Sequence, residues 1–99
     1  MKRIESNEPI SVFQKKVMRA LLKGPLGKIV SLRESGESMI IEFSQMGTSR
    51  ISFHVESNES SFLATKQKEE IAMTHFLLRN EVEKELKRIM ERLGAKIED

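Results

Sequence analysis

The sequence predicts an α+β domain in which a helix, a three-stranded antiparallel meander and a long C-terminal helix follow one another, both helices covering one sheet face. Three observations predict it. Met39, Ile41 and Phe43 alternate with Ile40, Glu42 and Ser44, and Ile51, Phe53 and Val55 alternate with Arg50, Ser52, His54 and Glu56. Successive strand side chains point to opposite faces, so each run has one apolar face and one mostly polar face. On either side of these runs the apolar residues return at helical spacing. Such a sheet is a platform with one face left open.

A chain of 99 residues, 38% hydrophobic and 32% charged, has room for a single modest core. The first ten residues read as a flexible polar segment, 11–94 as the folded domain and 95–99 as a polar tail. Ser11 with Gln14 matches a capping box, in which each side chain satisfies a backbone N–H at the helix start. The helix then runs to Lys23 and stops at Gly24-Pro25. Phe13, Val17, Met18, Ala20, Leu21 and Leu22 share its apolar face, and Lys15, Lys16, Arg19 and Lys23 lie opposite.

Lys28 to Arg33 supplies the first strand. Ser35-Gly36 and Gln45-Met46-Gly47-Thr48 supply short turns, which join antiparallel neighbours. Residues 57–61 form a polar loop. Lys66 to Leu93 reads as one helix, with Thr65 as N-cap, Glu69 and Glu70 near its positive end and Gly94 at its stop. At about 1.5 Å per residue it is a rod of roughly 40 Å, twice the length of a six-residue strand. Val82, Leu86, Ile89, Met90 and Leu93 form a narrow seam on its far half, spaced like a coiled coil. An overhanging seam needs a cover, so a homodimer or heterodimer through these residues is expected.

The order helix, three strands, helix is similar to that of the small Alu-domain proteins of the signal recognition particle and of the YbaB-type nucleoid proteins. The likeness is one of element order; no residue motif carries it, and it transfers no site.

Charge is segregated along the chain. Between Pro9 and Arg33 stand Lys15, Lys16, Arg19, Lys23, Lys28 and Arg33 with no acidic residue among them, whereas Arg50 is the one Lys or Arg between Glu34 and Ala64. Lys15, Arg19 and Lys23 form an i, i+4 row of like charge, which an anionic partner would relieve. These six cations are the expected nucleic-acid contacts, made to phosphates. Duplex is the better ligand than a stacked single strand. Phe43 and Phe53 face inward and there is no Tyr or Trp, so the open face has no ring on which a base could stack.

Gly24-Pro25-Leu26-Gly27 has the spacing of the loop with which KH domains clamp a nucleic-acid backbone. A KH domain continues into a full helix, whereas this chain reaches the turn at Ser35-Gly36 first, so the glycines read as a helix stop. A Walker loop is excluded by the two-residue gap and by Ile29 after Lys28. Absence of cysteine removes disulfides, thiolate metal sites and cysteine nucleophiles. Ser52, His54 and Glu56 share a strand face, but residues two apart lie nearly 7 Å apart, too far for a catalytic relay. His75 falls in the apolar stripe of the second helix and reads as a packed histidine. No metal or other cofactor is expected.

No apolar run is long enough to span a bilayer and no signal-peptide stretch is present, so a cytoplasmic protein without membrane association is expected. The leading expectation is a non-enzymatic nucleic-acid-binding dimer. The alternative is a protein-interaction module, an adaptor or small chaperone, that uses the C-terminal helix.

Overall fold

The computed structural model of the protein describes residues 1–99. Its elements are β1 (Arg3–Ser6), α1 (Ile10–Leu21), β2 (Val30–Ser35), β3 (Ser38–Ser44), β4 (Thr48–Ser57), β5 (Phe62–Glu70), α2 (Phe76–Arg92) and β6 (Lys96–Glu98). Short 3₁₀ turns at Pro25–Lys28 and Met73–His75 precede β2 and α2. All strand pairs are antiparallel, in one six-stranded sheet of order β2-β3-β4-β5-β1-β6.

This overturns the three-stranded meander. Strands at the positions expected for the meander are present as β2, β3 and β4, but they make up only half of the sheet. The largest correction falls on the segment read as the first turns of a long helix. Lys66 to Glu70 belongs to β5, and Thr65, expected as an N-cap, pairs with His54 and Arg3. The physical reason is main-chain satisfaction. β4 is ten residues long, and its edge away from β3 would otherwise leave a row of backbone groups unpaired. Helix-favouring Ala64, Lys66, Gln67, Lys68, Glu69 and Glu70 yield to that demand, with one register irregularity between Ser52 and Phe53. Asn58 fixes the hairpin: its side-chain oxygen accepts the N–H of Ser60 at 2.8 Å and of Ser61 at 2.9 Å.

Both chain ends also pair. Residues 1–10, expected to be flexible, contribute β1, and residues 95–99, expected as a tail, contribute β6 through Ile4↔Ile97. Gly94, at φ 100°, reverses the chain between α2 and β6. The expected capping box does not form either. Pro9 is the N-cap of α1, its carbonyl accepting the Phe13 N–H at 3.0 Å, while Ser11 is already helical and Gln14 is mostly buried.

The core lies between the helices and one sheet face. Phe13, Val17 and Leu21 of α1 and Val82, Leu86, Ile89 and Met90 of α2 meet Ile4, Met39, Ile41, Phe43, Ile51, Phe53, Phe62 and Ala64. The alternation in β3 and β4 therefore places its apolar residues inward. With 17 residues α2 extends only about 25 Å. The overhanging rod is gone, and no helix is long and apolar enough to cross a membrane.

The other sheet face is open and carries cross-strand charges of alternating sign. Across strands, Arg50 reaches Glu42 at 2.6 Å and Arg33 reaches the same carboxylate at 3.7 Å, and within β5 Lys68 meets Glu70 at 3.1 Å. Phe13, Phe43, Phe53 and Phe62 are buried, so the open face displays no phenylalanine, tyrosine or tryptophan ring.

Candidate binding interface

The six expected cations divide into two groups. Lys15 and Arg19 project from the exposed flank of α1, Lys23 follows just past its end, and Lys28 closes the first 3₁₀ turn. All four are exposed, and none has a carboxylate within the 4.0 Å of an ion pair. Lys16 and Arg33 are different. The Lys16 amine donates to Glu8 at 2.8 Å, and Arg33 belongs to the charge lattice of the open face. The unpaired four of the six thus form a row along α1 and into the following turn; Lys2, Lys84, Arg92 and Lys96, elsewhere on the surface, also lack an ion pair.

The glycine pair in that turn serves packing. A Cβ on Gly27 would lie 2.5 Å from the Leu21 carbonyl oxygen and 2.7 Å from Leu22 Cα, so glycine lets the 3₁₀ turn close onto the end of α1. Gly24 donates its N–H to Leu21 O at 3.0 Å. Both backbones are engaged in ending the helix.

Beside the row lies a shallow groove of about 440 Å³ between α1 and β2. Met18, Leu22 and Leu32 are its apolar floor, and Lys15 and Arg19 stand in its wall. Leu22 is 67% exposed, so an apolar side chain lies open next to unneutralised cations. β2 is an outermost strand of the sheet, and its far side has no partner strand.

The expected partner seam lies elsewhere than at the surface. Val82, Leu86, Ile89 and Met90 are buried in the chain's own core, and Leu93 packs against it half-buried. Their periodicity arises from contact with the sheet. The apolar residues that α2 does expose are at its start: Phe76 and Leu77, at 77% and 76%, follow Met73 at 97%. Met46, at 88%, approaches them because Thr74 Oγ1 donates to its carbonyl at 2.9 Å. The single helix expected over Lys66 to Leu93 did not single out this patch.

Neither histidine sits in a catalytic arrangement. His75 is buried in the second 3₁₀ turn, and its Nε2 lies 2.6 Å from the Gln45 carbonyl, which can only accept. That contact fixes the proton on Nε2 and leaves Nδ1 to accept from Ser49 Oγ at 2.6 Å. Ser49 Oγ in turn accepts the Ala72 N–H at 2.8 Å. The ring packs on Phe43, with centroids 5.3 Å apart. Every polar atom of this Ser–His pair is used, Ser49 has no solvent exposure, and no carboxylate backs the imidazole. The pair ties the β3–β4 turn to the start of α2. His54 lies half-exposed beside a cleft lined by Glu34, Glu37 and Glu56, but no three His, Asp or Glu side chains converge as metal ligands would.

A second network joins β5 to α2. Arg79 donates to both oxygens of Glu69, at 2.7 and 2.9 Å, and Lys66 adds a bond at 3.0 Å. Burial by itself would raise the Glu69 pKa. The hydrogen bonds from Arg79 and then Lys66 outweigh it and hold the carboxyl below its ordinary range. The same carboxylate raises Arg79. This site is structural and was invisible in the sequence, because the partners belong to elements that the sequence assigned to one helix.

Comparison of the chain with protein-family models, with curated proteins and with solved structures found no match to any of the three.

Proposed function

We propose that the protein is a non-enzymatic binding module that captures an anionic partner along α1, and that this partner is another protein. One observation carries the reading: Lys15, Arg19, Lys23 and Lys28 are exposed and unpaired, and the first two border an apolar groove. A like-charged row repels itself along the helix, and a complementary partner removes that cost. Cations beside apolar surface suit a protein ligand, which brings carboxylates and apolar side chains together.

Lys23 and Lys28 continue the row beyond the groove, and this favours a second reading, contact with a nucleic-acid phosphate backbone. The two are separated by titrating the protein with fluorescein-labelled oligoglutamate and with a duplex of equal charge at two salt concentrations. The protein-partner reading expects tighter binding of oligoglutamate. A duplex that binds tighter, with a steep salt slope, would replace it with the second reading. Absence of binding to either polyanion by the wild type would end both.

A further inference from the structure

We infer that the free edge of β2 is a strand-addition site, which takes an extended, acidic segment of a partner protein as a seventh strand. This rests on the reading that α1 recruits an anionic protein, and it specifies the form in which that protein binds.

The first support is the state of the edge. The Ser44 N–H donates to Ile29 O at 2.9 Å, which sets the phase of the β2–β3 ladder. Antiparallel bonding alternates, so Ser31, Arg33 and Ser35 exchange bonds with β3, and Leu32 and Glu34 turn their N–H and C=O groups away from it. The sheet's two edges are unequal. β6 is three residues long, a common way of making an edge harmless, whereas β2 offers six residues.

The second support is what lies above that edge. An added strand would point alternate side chains toward α1, where they meet Met18, Leu22 and Leu32 and then Lys15 and Arg19. Glutamate fits this sequence of contacts, because its methylenes can cover the apolar floor while its carboxylate reaches the cations. Main-chain bonds would supply affinity and the groove would select alternate side chains, as in other strand-addition sites.

The third support is direction. Ile10, at the start of α1, shares a cleft with Glu34, Glu37 and Glu56 at the far end of β2. The unpaired cations continue through Lys23 and Lys28 toward the Val30 end. A strand antiparallel to β2 places its C-terminal half at the cationic end and its N-terminal half at the acidic end. Acidic residues should therefore concentrate toward the C-terminal side of the bound segment.

A second copy of this chain is the competing occupant: pairing β2 with β2 about a two-fold axis would set Glu34 and Glu37 of each copy at the cationic end of the other, although it would also bring the two rows of Lys15 and Arg19 side by side. Light scattering at tens of micromolar separates the two: a monomer is expected, and a homodimer that the acidic peptide does not dissociate would assign the edge to a second copy instead.

The test uses a fluorescein-labelled eight-residue peptide alternating threonine and glutamate, with anisotropy and amide hydrogen exchange as readouts. The expected results are saturable binding and slowed exchange at the Leu32 and Glu34 amides. N-methylation of alternate peptide amides supplies a second arm, because a strand pairs through one edge only. Methylating one set should weaken binding at least tenfold, while methylating the other should change it less than about threefold. Equal effects of the two sets, with unprotected Leu32 and Glu34 amides and binding retained, would overturn strand addition and leave capture by α1 standing. No binding of this peptide or of oligoglutamate would remove both. A sixteen-base-pair duplex that binds tighter than the peptide, with the two amides unprotected, would assign the surface to nucleic acid instead.

Discussion

Replacing Gly27 with alanine tests whether the glycine pair is packing or a phosphate-contacting loop. The added Cβ would stand 2.5 Å from Leu21 O, 2.7 Å from Leu22 Cα and 2.8 Å from the Leu21 carbonyl carbon. The nearest of these falls about 0.9 Å short of the 3.4 Å at which ordinary contact begins. All three atoms are backbone at the end of α1, so no side chain can rotate away. The 3₁₀ turn must lift from the helix, which disturbs Leu21 in the core and the start of β2. Overpacking of this kind costs about 1–3 kcal/mol, and a rigid backbone obstacle belongs at the upper end. Gly24 is the internal control. Its nearest neighbour is Leu21 O at 3.9 Å, and its φ of −123° is open to any residue, so Gly24→Ala should lie within about 0.5 kcal/mol of wild type. Urea denaturation with unchanged m-values would give both numbers. If Gly27→Ala is as stable as wild type, or if Gly24→Ala is equally damaging, the packing account fails. Preserved stability with lost polyanion binding in both variants would return the glycines to a functional loop.

Ser49→Ala leaves the Ala72 N–H and His75 Nδ1 without their partner and should cost about 2–4 kcal/mol, measured by thermal or urea unfolding. Leu86→Glu places a carboxylate in the closed core, so circular dichroism should report loss of folding; a folded variant that merely changes oligomeric state would restore the surface seam. Glu69 has a lowered folded pKa, so its contribution is present above about pH 4.5 and is lost as pH falls through the folded value. Arg79→Met should therefore lower stability at pH 7 by roughly 0.5–1 kcal/mol and flatten the stability loss on acidification; an unchanged acid limb would show the pair to be idle. Changing Lys15, Arg19 and Lys23 together to Gln should leave the fold intact, weaken oligoglutamate binding and shallow its salt dependence; an unchanged titration would show that α1 is only solvated.

Local patterning by itself determined the parts of this protein that depend on neighbours in sequence. The alternation in 39–43 and 51–55 specified which residues face the core, because a strand's two faces are set by its own pleat. The amphipathicity of α1 and the helix stop at Gly94 were legible for the same reason, since each depends on a few consecutive residues. The free cations could be named, but their pairing could not. Glu8 and Glu42 reach Lys16 and Arg33 only through the fold, leaving Lys15, Arg19, Lys23 and Lys28 as the open set. The tertiary structure alone decided the state of 62–70, whose residues accept helix or strand and were claimed by the unpaired edge of β4. Asn58 and the alternation of Phe62 and Ala64 with Leu63 and Thr65 were the faint signals of that hairpin. The structure also decided the meaning of the Val82–Leu93 stripe. A helix period reports that one face is covered, and only three-dimensional packing says whether the cover is the chain's own sheet or another molecule.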